Sequence, residues 1–406
     1  MTLLSINDIL IYGLVGRFII IKIRRKVERT FQSVCALTIS AGTSDESIRR
    51  QTMRFIHTGD IHLGAHPESK REWAANRGEE IWGTFEKLIK KIKMDSVDLL
   101  IISGDLFHRQ PLLREIKEVD YLLSTIPDTK VVICAGNHDA IKKGSFYEGF
   151  QWSENVIFLE DRNIQKVDIE EINACVYGLS YHETEIEENL YDHIIVDDIN
   201  KLNILVAHGG DEKHIPINKK KLAMSGFDYV AMGHIHKPEM DERSRMAYCG
   251  SLEPIDMNDI GKRGYIYGEI NKYGLELEFV PFAKRIYKEI DFTVTPKVTN
   301  MEIRHRLLDM MVENGEENMF KVTFNGYRDP DFEIKEKDIE QIGNIVSIVD
   351  ETVPDFDFEE LYEDNHDNIL GMFIERYLDK GYLNEREKKT LYYGAKALLD
   401  AMEDET

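Results

Sequence analysis

Short runs of apolar residues alternate with longer stretches along the middle of the chain. The short runs have the length of buried strands, and in the longer stretches apolar residues recur at about the 3.6-residue spacing of a helix. Strands that alternate with helices predict an open α/β sheet. The predicted strands span residues 54–58, 97–103, 131–135, 204–207 and 229–232, and the predicted helices include residues 77–94 and 112–124.

A short polar motif follows each predicted strand. Ligands of open α/β sheets bind beyond the carboxyl ends of the strands, so we expect all five motifs to lie on one edge of the sheet. Before four of the candidate ligands stands a glycine, which lets the chain leave a strand sharply. The motifs are Asp60-Ile61-His62, Gly104-Asp105, Gly136-Asn137-His138-Asp139, Ala207-His208-Gly209 and Gly233-His234-Ile235-His236.

Together the motifs offer carboxylate, amide and imidazole groups without a thiolate. A carboxylate can bridge two cations about 3.5–4 Å apart, the separation found in two-metal hydrolytic sites, and Asp105 is the candidate bridge. This mixture of ligands favours manganese, iron or zinc over calcium. A single histidine of this kind is more often a surface or core residue, so the hypothesis depends on the whole set. The set predicts the binuclear site of a phosphoesterase.

The motif series resembles that of the calcineurin-like metallophosphoesterases. Over about residues 53–285 it is similar to the SbcD branch, the DNA double-strand-break repair nucleases that work with an SbcC-type ATPase. Protein phosphatases of the superfamily usually have Asp in place of His108 and Glu in place of Asp139, so these two positions favour the nuclease branch. The most specific stretches are Thr58-Gly59-Asp60-Ile61-His62-Leu63-Gly64, Gly104-Asp105-Leu106-Phe107-His108, residues 227–236 and Tyr248-Cys249-Gly250-Ser251-Leu252-Glu253.

The resemblance implies a role for each matching residue. Two divalent metal ions are expected, with Mn²⁺ first and Fe²⁺ or Zn²⁺ as alternatives, and Asp105 would be shared between them. His138 would stabilise or protonate the departing oxygen, and His108 would orient the scissile phosphate. One metal would be held by Asp60, His62, Asp105 and His236, and the other by Asp105, Asn137, His208 and His234.

The resemblance also implies an architecture and a set of partners. Residues 53–284 would form a four-layer β-sandwich flanked by helices, an α/β (α+β) nuclease domain. A small α+β capping domain at residues 285–350 would help to select the DNA end, and helices at residues 369–406 would dock on the coiled-coil base of the SbcC-type ATPase. DNA is the implied substrate, and the implied assembly is a homodimer.

The ends of the chain have less specific patterns. Residues 351–368 are dense in acidic residues and predict a linker. The two amphipathic helices beyond it could equally fold back onto the body. Residues 9–23 fit neither a membrane span nor a signal peptide, and Met53 opens a complete strand. We therefore interpret residues 1–52 as a non-functional extension from a misassigned start, and we predict no membrane association.

The net charge of -23 argues against a protein that coats nucleic acid alone, because phosphate affinity depends on displaced counterions. More than half of this excess falls on residues 285–406, where it favours solubility or docking of a basic partner. Four scattered cysteines without metal or disulfide spacing predict a reducing cytoplasm. Four basic residues near the motifs are candidates for contacts with DNA phosphates. The alternative is that their charges are simply solvated. These residues are Lys142, Lys143, Lys262 and Arg263.

Three functional hypotheses follow from the sequence. The leading one is a binuclear-metal DNA exonuclease or endonuclease subunit that acts in double-strand-break repair with an SbcC-type ATPase. The second is a metallophosphodiesterase for a small nucleotide, which would need neither a capping unit nor C-terminal helices. The third is a scaffold subunit with an inactive site, and the complete ligand set with His138 argues against it.

Overall fold

Two six-stranded β-sheets pack face to face in the computed structural model, which describes residues 52–271 and 273–403. Strands are numbered in chain order. In spatial order, the first sheet contains Gly274–Pro281 (β12), Gly264–Asn271 (β11), Met53–Thr58 (β1), Leu99–Ser103 (β2), Lys130–Cys134 (β3) and Val156–Leu159 (β4). The second contains Gln165–Ile169 (β5), Ala174–Gly178 (β6), Leu202–His208 (β7), Tyr229–Gly233 (β8), Met246–Tyr248 (β10) and Glu239–Asp241 (β9).

Apolar side chains fill the space between the sheets and cover both outer faces. Phe55 and Ile101 of the first sheet meet Val206 and Tyr229 of the second in the central layer. Helices α1 (Arg77–Asp95) and α2 (Leu113–Ser124) pack on the outer face of the first sheet. The short helix α3 (Lys219–Ala223) contributes to the layer outside the second sheet. This arrangement confirms the predicted fold class, a β-sandwich flanked by helices.

The expectation that one open sheet carries all five motifs is wrong. Three motifs follow β1, β2 and β3, which are parallel neighbours in the first sheet, and two follow β7 and β8, which are parallel neighbours in the second. These strands are buried on both faces and appear as continuous apolar runs, so their sequences do not say which sheet they join. The motifs therefore meet where the ends of two sheets converge.

A third, smaller sheet follows the sandwich. Its parallel strands are β13 (Tyr287–Val294), β14 (Met319–Arg328) and β15 (Ile345–Asp350), and β16 (Val353–Pro354) pairs with the end of β14. Helices α4 (Asn300–Glu313) and α5 (Glu336–Ile339) connect the strands, and residues of α4 and of the sheet share one core. We call residues 285–354 the small domain.

The segment that was predicted to be an acidic linker has regular structure instead. It contains β16 and the helix α6 (Phe358–Asn365), whose first turn is capped by the Asp357 carboxylate. Phe356, Phe358, Leu361 and Tyr362 pack in the cluster formed with the last two helices. The high density of acidic residues concealed these apolar positions in the sequence. The apolar side chains determine the local fold.

The last two helices, α7 (Ile369–Leu378) and α8 (Glu385–Glu403), pack against each other. Asn368 caps α7 by accepting hydrogen bonds from the first-turn N–H groups. Tyr392 of α8 contacts Tyr327 at the end of β14. Among the helices that the structure describes, none is long and apolar enough to cross a membrane. The interpretation of residues 1–52 as a non-functional extension stays a prediction, because residues 1–51 lie outside the described part of the chain.

Glu80 on α1 joins the sandwich to the beginning of the small domain. Its carboxylate accepts a hydrogen bond from Arg77 at 2.7 Å and, on its other oxygen, from Lys284 at 2.9 Å and Arg285 at 2.7 Å. Burial alone would raise the pKa of Glu80, but the hydrogen bonds from these three cations lower it to about 2. Glu80 therefore pairs with three positive side chains at this junction, of which Arg77 also contacts the buried Glu253 at 3.4 Å.

Replacing Glu80 by Gln is expected to lower the free energy of unfolding at pH 7 by about 2 kcal/mol, because three cations lose their charged acceptor. The folded-state pKa lies below the unfolded value, so this contribution is present above about pH 4.5 and is lost as the pH falls towards 2. Urea titrations of the variant and the wild type at pH 7 and pH 3.5 measure the difference. Glu79→Gln, at an exposed position of the same helix, is the matched control and should change little. A pH-independent loss would contradict the assignment.

Candidate metal centre

The polar motifs meet because neighbouring strand ends hold each other in register. The N–H of Asp60 donates to the Gly104 carbonyl and that of His62 to the Asp105 carbonyl, each at 3.0 Å. Asp60, His62, Asp105 and His234 all have positive φ values, between 46° and 90°. Residues other than glycine rarely adopt positive φ values. Four such residues close together are typical of a functional site where the surrounding fold imposes strain.

The first of two ligand clusters consists of Asp60, His62 and His236, whose donor atoms lie within 4.8 Å of one another. The Nε2 atoms of the two imidazoles are 3.2 Å apart. Asp60 is fully buried, its carboxylate accepts the backbone N–H of His234, and burial raises its pKa to about 6. Facing nitrogens beside a buried carboxylate are a suitable set for a transition-metal cation.

Asp105, His208 and His234 form the second cluster, again with donor atoms within 4.8 Å. The side-chain oxygen of Asn137 lies 3.0 Å from Nε2 of His208 and 3.1 Å from Nδ1 of His234. This oxygen thus faces the same ring nitrogens that face the cluster. Carboxylate, amide and two imidazoles converge here without a thiolate, as expected from the sequence motifs.

Asp105 lies between the two clusters. One oxygen of its carboxylate is 3.9 Å from Nε2 of His62 and 3.4 Å from Nε2 of His208, while the other accepts the N–H of His138 at 2.9 Å. Burial would raise the pKa of Asp105, but the neighbouring imidazoles hold it well below its usual range. Conversely, burial would lower the pKa of His208, and Asp105 raises it to about 9. The Asp105 carboxylate is therefore close to a histidine of each cluster.

Each of three candidate ligands has its other ring nitrogen held by an oxygen outside the clusters. Nδ1 of His208 lies 2.8 Å from the Ser103 carbonyl, Nε2 of His234 lies 2.8 Å from Asp211, and Nδ1 of His236 lies 3.1 Å from Asp259. An oxygen partner of this kind keeps a proton on the nitrogen it contacts and leaves the opposite nitrogen free for a metal. Each of the three rings therefore has one nitrogen that faces its cluster and is suited to bind a cation.

Sequence reasoning missed Asp211 and Asp259. Both carboxylates lie in loops, and neither stands in a motif that distinguishes it from the many other acidic residues of the chain. Asp211 follows His208 by three residues and also contacts His214, which gives a further group of three donors with His234. Spacing alone could have made Asp211 a candidate, but no sequence pattern indicates Asp259.

Asp139, which follows the third motif, is also fully buried. It accepts hydrogen bonds from the N–H groups of Gly136 and Phe107 and from the hydroxyl of Tyr147. Burial, together with the charge of Asp105, raises the pKa of Asp139 to about 7. Its contacts hold the loop that presents Asn137, so its role is to support the site.

His138 and His108 lie beside the first cluster. The ring of His138 is 4.8 Å from that of His62 and stacks on that of His108 at 5.2 Å. Nδ1 of His138 lies 3.1 Å from the His108 carbonyl, and the two Nδ1 atoms of His108 and His62 are 3.4 Å apart. Burial lowers the pKa of His108. His138 is exposed, so it can reach a substrate that lies over the clusters.

The structure separates the predicted DNA-contacting residues into two groups. Lys142, Lys143 and Lys262 are exposed. Arg263 is only 3% exposed, and its guanidinium donates to the carbonyls of Ile260 and Lys262. Arg263 also contacts Asp259 at 3.4 Å. It therefore does not lie on a surface where it could meet a DNA phosphate.

A family model described as calcineurin-like phosphoesterase matches residues 53–238, the stretch that supplies both clusters. This stretch is similar to the calcineurin-like phosphoesterases. The match confirms the predicted superfamily and the prediction that the chain is a hydrolase. It ends at Pro238, before the loop that contains Asp259 and before the small domain.

Three curated relatives match a similar share of the chain. DNA double-strand break repair protein Mre11 of Methanopyrus kandleri is 28% identical over 259 residues, which are 56% of this chain and 56% of the relative. Mre11 of Methanocaldococcus jannaschii is 28% identical, covering 57% of this chain and 63% of the relative. The uncharacterized metallophosphoesterase YhaO of Bacillus subtilis is 26% identical, covering 56% and 60%. The chain spans less than two thirds of the length of each.

The bridging position of Asp105 predicts unequal effects of removing two carboxylates. Asp105→Ala should abolish binding of both cations, because each cluster loses a ligand, whereas Asp60→Ala should abolish only one. Metal analysis after gel filtration in Mn²⁺ gives the number of ions per chain. Circular dichroism shows whether both variants fold. Equal metal content in the two folded variants would contradict a shared carboxylate.

Proposed function

We propose that this chain is the nuclease subunit of a DNA double-strand-break repair complex, an exonuclease or endonuclease of the SbcD type. It hydrolyses DNA phosphodiester bonds with two divalent cations, for which Mn²⁺ is the best candidate. Its partners are DNA, an SbcC-type coiled-coil ATPase and a second copy of the chain, and its location is the cytoplasm. The observation that carries the proposal is the placement of exposed His138 and partly exposed His108 against a doubly clustered ligand set.

The residues that would hold the first cation are Asp60, His62, Asp105 and His236, and those for the second are Asp105, Asn137, His208 and His234. When bound, two such cations supply positive charge for the phosphate oxygens and a water nucleophile that is deprotonated near neutral pH. The close spacing around Asp105 supports this assignment, since one carboxylate serves both sets.

His138 is suited to handle the proton of the leaving group. The His108 carbonyl can only accept a hydrogen bond, so Nδ1 of His138 carries the proton of that contact. Nε2 is then the atom that exchanges a proton with the departing oxygen. The side chain of His108, stacked on His138 and in contact with His62, is placed to orient the phosphate. The two histidines thus divide proton transfer and substrate orientation.

Two further features support a macromolecular substrate. The small domain and the C-terminal helices add a second surface beyond the phosphoesterase domain, which a small nucleotide would not need. Exposed Lys142 and Lys143 follow the loop of His138 and could contact phosphates that flank the cleaved bond. The names of two of the relatives, both DNA double-strand break repair proteins, favour DNA.

His138→Asn is expected to reduce hydrolysis by about 10²- to 10⁴-fold while leaving the metal content unchanged, because we assign His138 to the leaving group and not to a cation. Cleavage rates and metal analysis of the same preparation test the two statements together. His193→Asn, at an exposed position, is the matched control. Loss of metal and activity together would show that His138 is a ligand after all.

The substrate is tested with end-labelled duplex DNA, hairpin DNA and a cyclic nucleotide in Mn²⁺, with and without the SbcC-type ATPase and ATP. We expect cleavage of duplex ends or hairpins, and none by the Asp105→Ala variant. Hydrolysis of the cyclic nucleotide with no cleavage of either DNA would replace the proposal by a small-nucleotide phosphodiesterase. Inactivity towards all three substrates would favour the scaffold.

A further inference from the structure

The carboxylate of Asp259 is tied into both the metal centre and its own loop. Its two oxygens lie 3.2 and 3.1 Å from Nδ1 of His236, and its side chain is only 8% exposed. One oxygen also accepts the backbone N–H groups of Ile255 and Asp256, and the other contacts Arg263. Asp259 therefore has a fixed position that its surrounding loop, residues 255–263, determines.

The next residue of this loop contacts the small domain. Ile260 forms an isolated β-bridge with Tyr287, the first residue of β13, and the N–H of Gly261 donates to the Tyr287 carbonyl at 3.0 Å. The Ile260 side chain packs in a cluster with Tyr287, Met319 and Val346 of the small sheet. Two adjacent residues of the loop therefore make the two contacts: Asp259 contacts the candidate ligand His236, and Ile260 contacts the small domain.

The other imidazoles are held differently. His208 is oriented by the Ser103 carbonyl of β2, and His234 by Asp211, so neither depends on loop 255–263. His236 has Asp259 as its partner, and its own carbonyl accepts the N–H of Ser251. A shift of the loop would accordingly move the ring of His236 before it moved the rings of the second cluster.

We propose that Asp259 is the positioning residue of His236, and that loop 255–263 makes the geometry of this ligand depend on how the small domain is seated on the sandwich. The inference rests on the metal assignment of the proposed function. It adds that the first cluster senses the small domain, whereas the second cluster is set by the sandwich alone. A partner or a DNA end that displaced the small domain would thereby alter one cation site selectively.

The first experiment removes the carboxylate. In Asp259→Ala, calorimetric titration with Mn²⁺ should show one of the two sites weakened by about 10- to 100-fold and the other nearly unchanged. Electron paramagnetic resonance should show the signal of a coupled Mn²⁺ pair replaced by that of isolated Mn²⁺ at the same loading. The matched control is Asp256→Ala, which removes an exposed carboxylate of the same loop that accepts hydrogen bonds from Asn258.

The second experiment disturbs the seating of the small domain without substituting a residue of the loop. Met319→Ala opens a cavity in the cluster against Ile260 and should weaken the same Mn²⁺ site by about 3- to 10-fold. Leu307→Ala removes a similar volume from the interior of the small domain, away from that cluster, and should leave both sites near their wild-type affinity. Thermal melts of both variants confirm that the chain is folded.

The outcomes separate this inference from the proposed function. If wild-type protein bound no Mn²⁺ pair, the metal assignment would fall and the inference with it. If the wild type bound the pair but Asp259→Ala weakened neither site, or weakened both equally, the role of Asp259 would be refuted alone. Equal effects of Met319→Ala and Leu307→Ala would refute the link to the small domain and leave the role of Asp259 intact.

Discussion

The buried carboxylate of Asp105 is the constraint on which the site depends. A charge of this kind is costly inside a protein unless positive charge or hydrogen-bond donors surround it. Here the ends of both sheets supply those groups, and the sheets can approach because three strand ends carry glycine. A Cβ on Gly104, Gly136 or Gly233 would lie 2.1–2.3 Å from His208, Asp105 or the Ser103 carbonyl. The Asp105 carboxylate can therefore meet its charged partners only where the strand ends approach closely, and this close approach requires glycine at the three positions.

The same constraint explains why so much of the surrounding structure serves orientation. An imidazole that binds a metal presents one nitrogen to the metal, and its other nitrogen donates a hydrogen bond to an oxygen. A backbone carbonyl, an exposed aspartate and a buried aspartate do this for His208, His234 and His236 respectively. These three partners come from a strand and two different loops, so separate parts of the fold orient the three candidate ligands.

The sequence predicts the strand positions well, and it singles out most of the polar residues that the structure gathers into the two clusters, because polar residues that interrupt apolar runs at strand ends are local signals. It predicts sheet membership poorly, since β7 and β8 have the same apolar character as β1 and β2. It also misses Asp259, whose position follows from a loop folded against His236, and it misjudges residues 351–368, where four aromatic and aliphatic side chains outweigh the acidic ones. In each case the deciding contact joins residues far apart in sequence.

The origin of the first cluster from two distant places in the chain, Asp60 at the beginning of the sandwich and His236 near its end, also bears on how the protein matures. A partly folded or truncated chain cannot assemble this set, because both sheets must dock before the ligands meet. Cation uptake would consequently occur late in folding and favour only the completed sandwich over partly unfolded forms. The chain would thus acquire its hydrolytic activity only when its tertiary structure is complete.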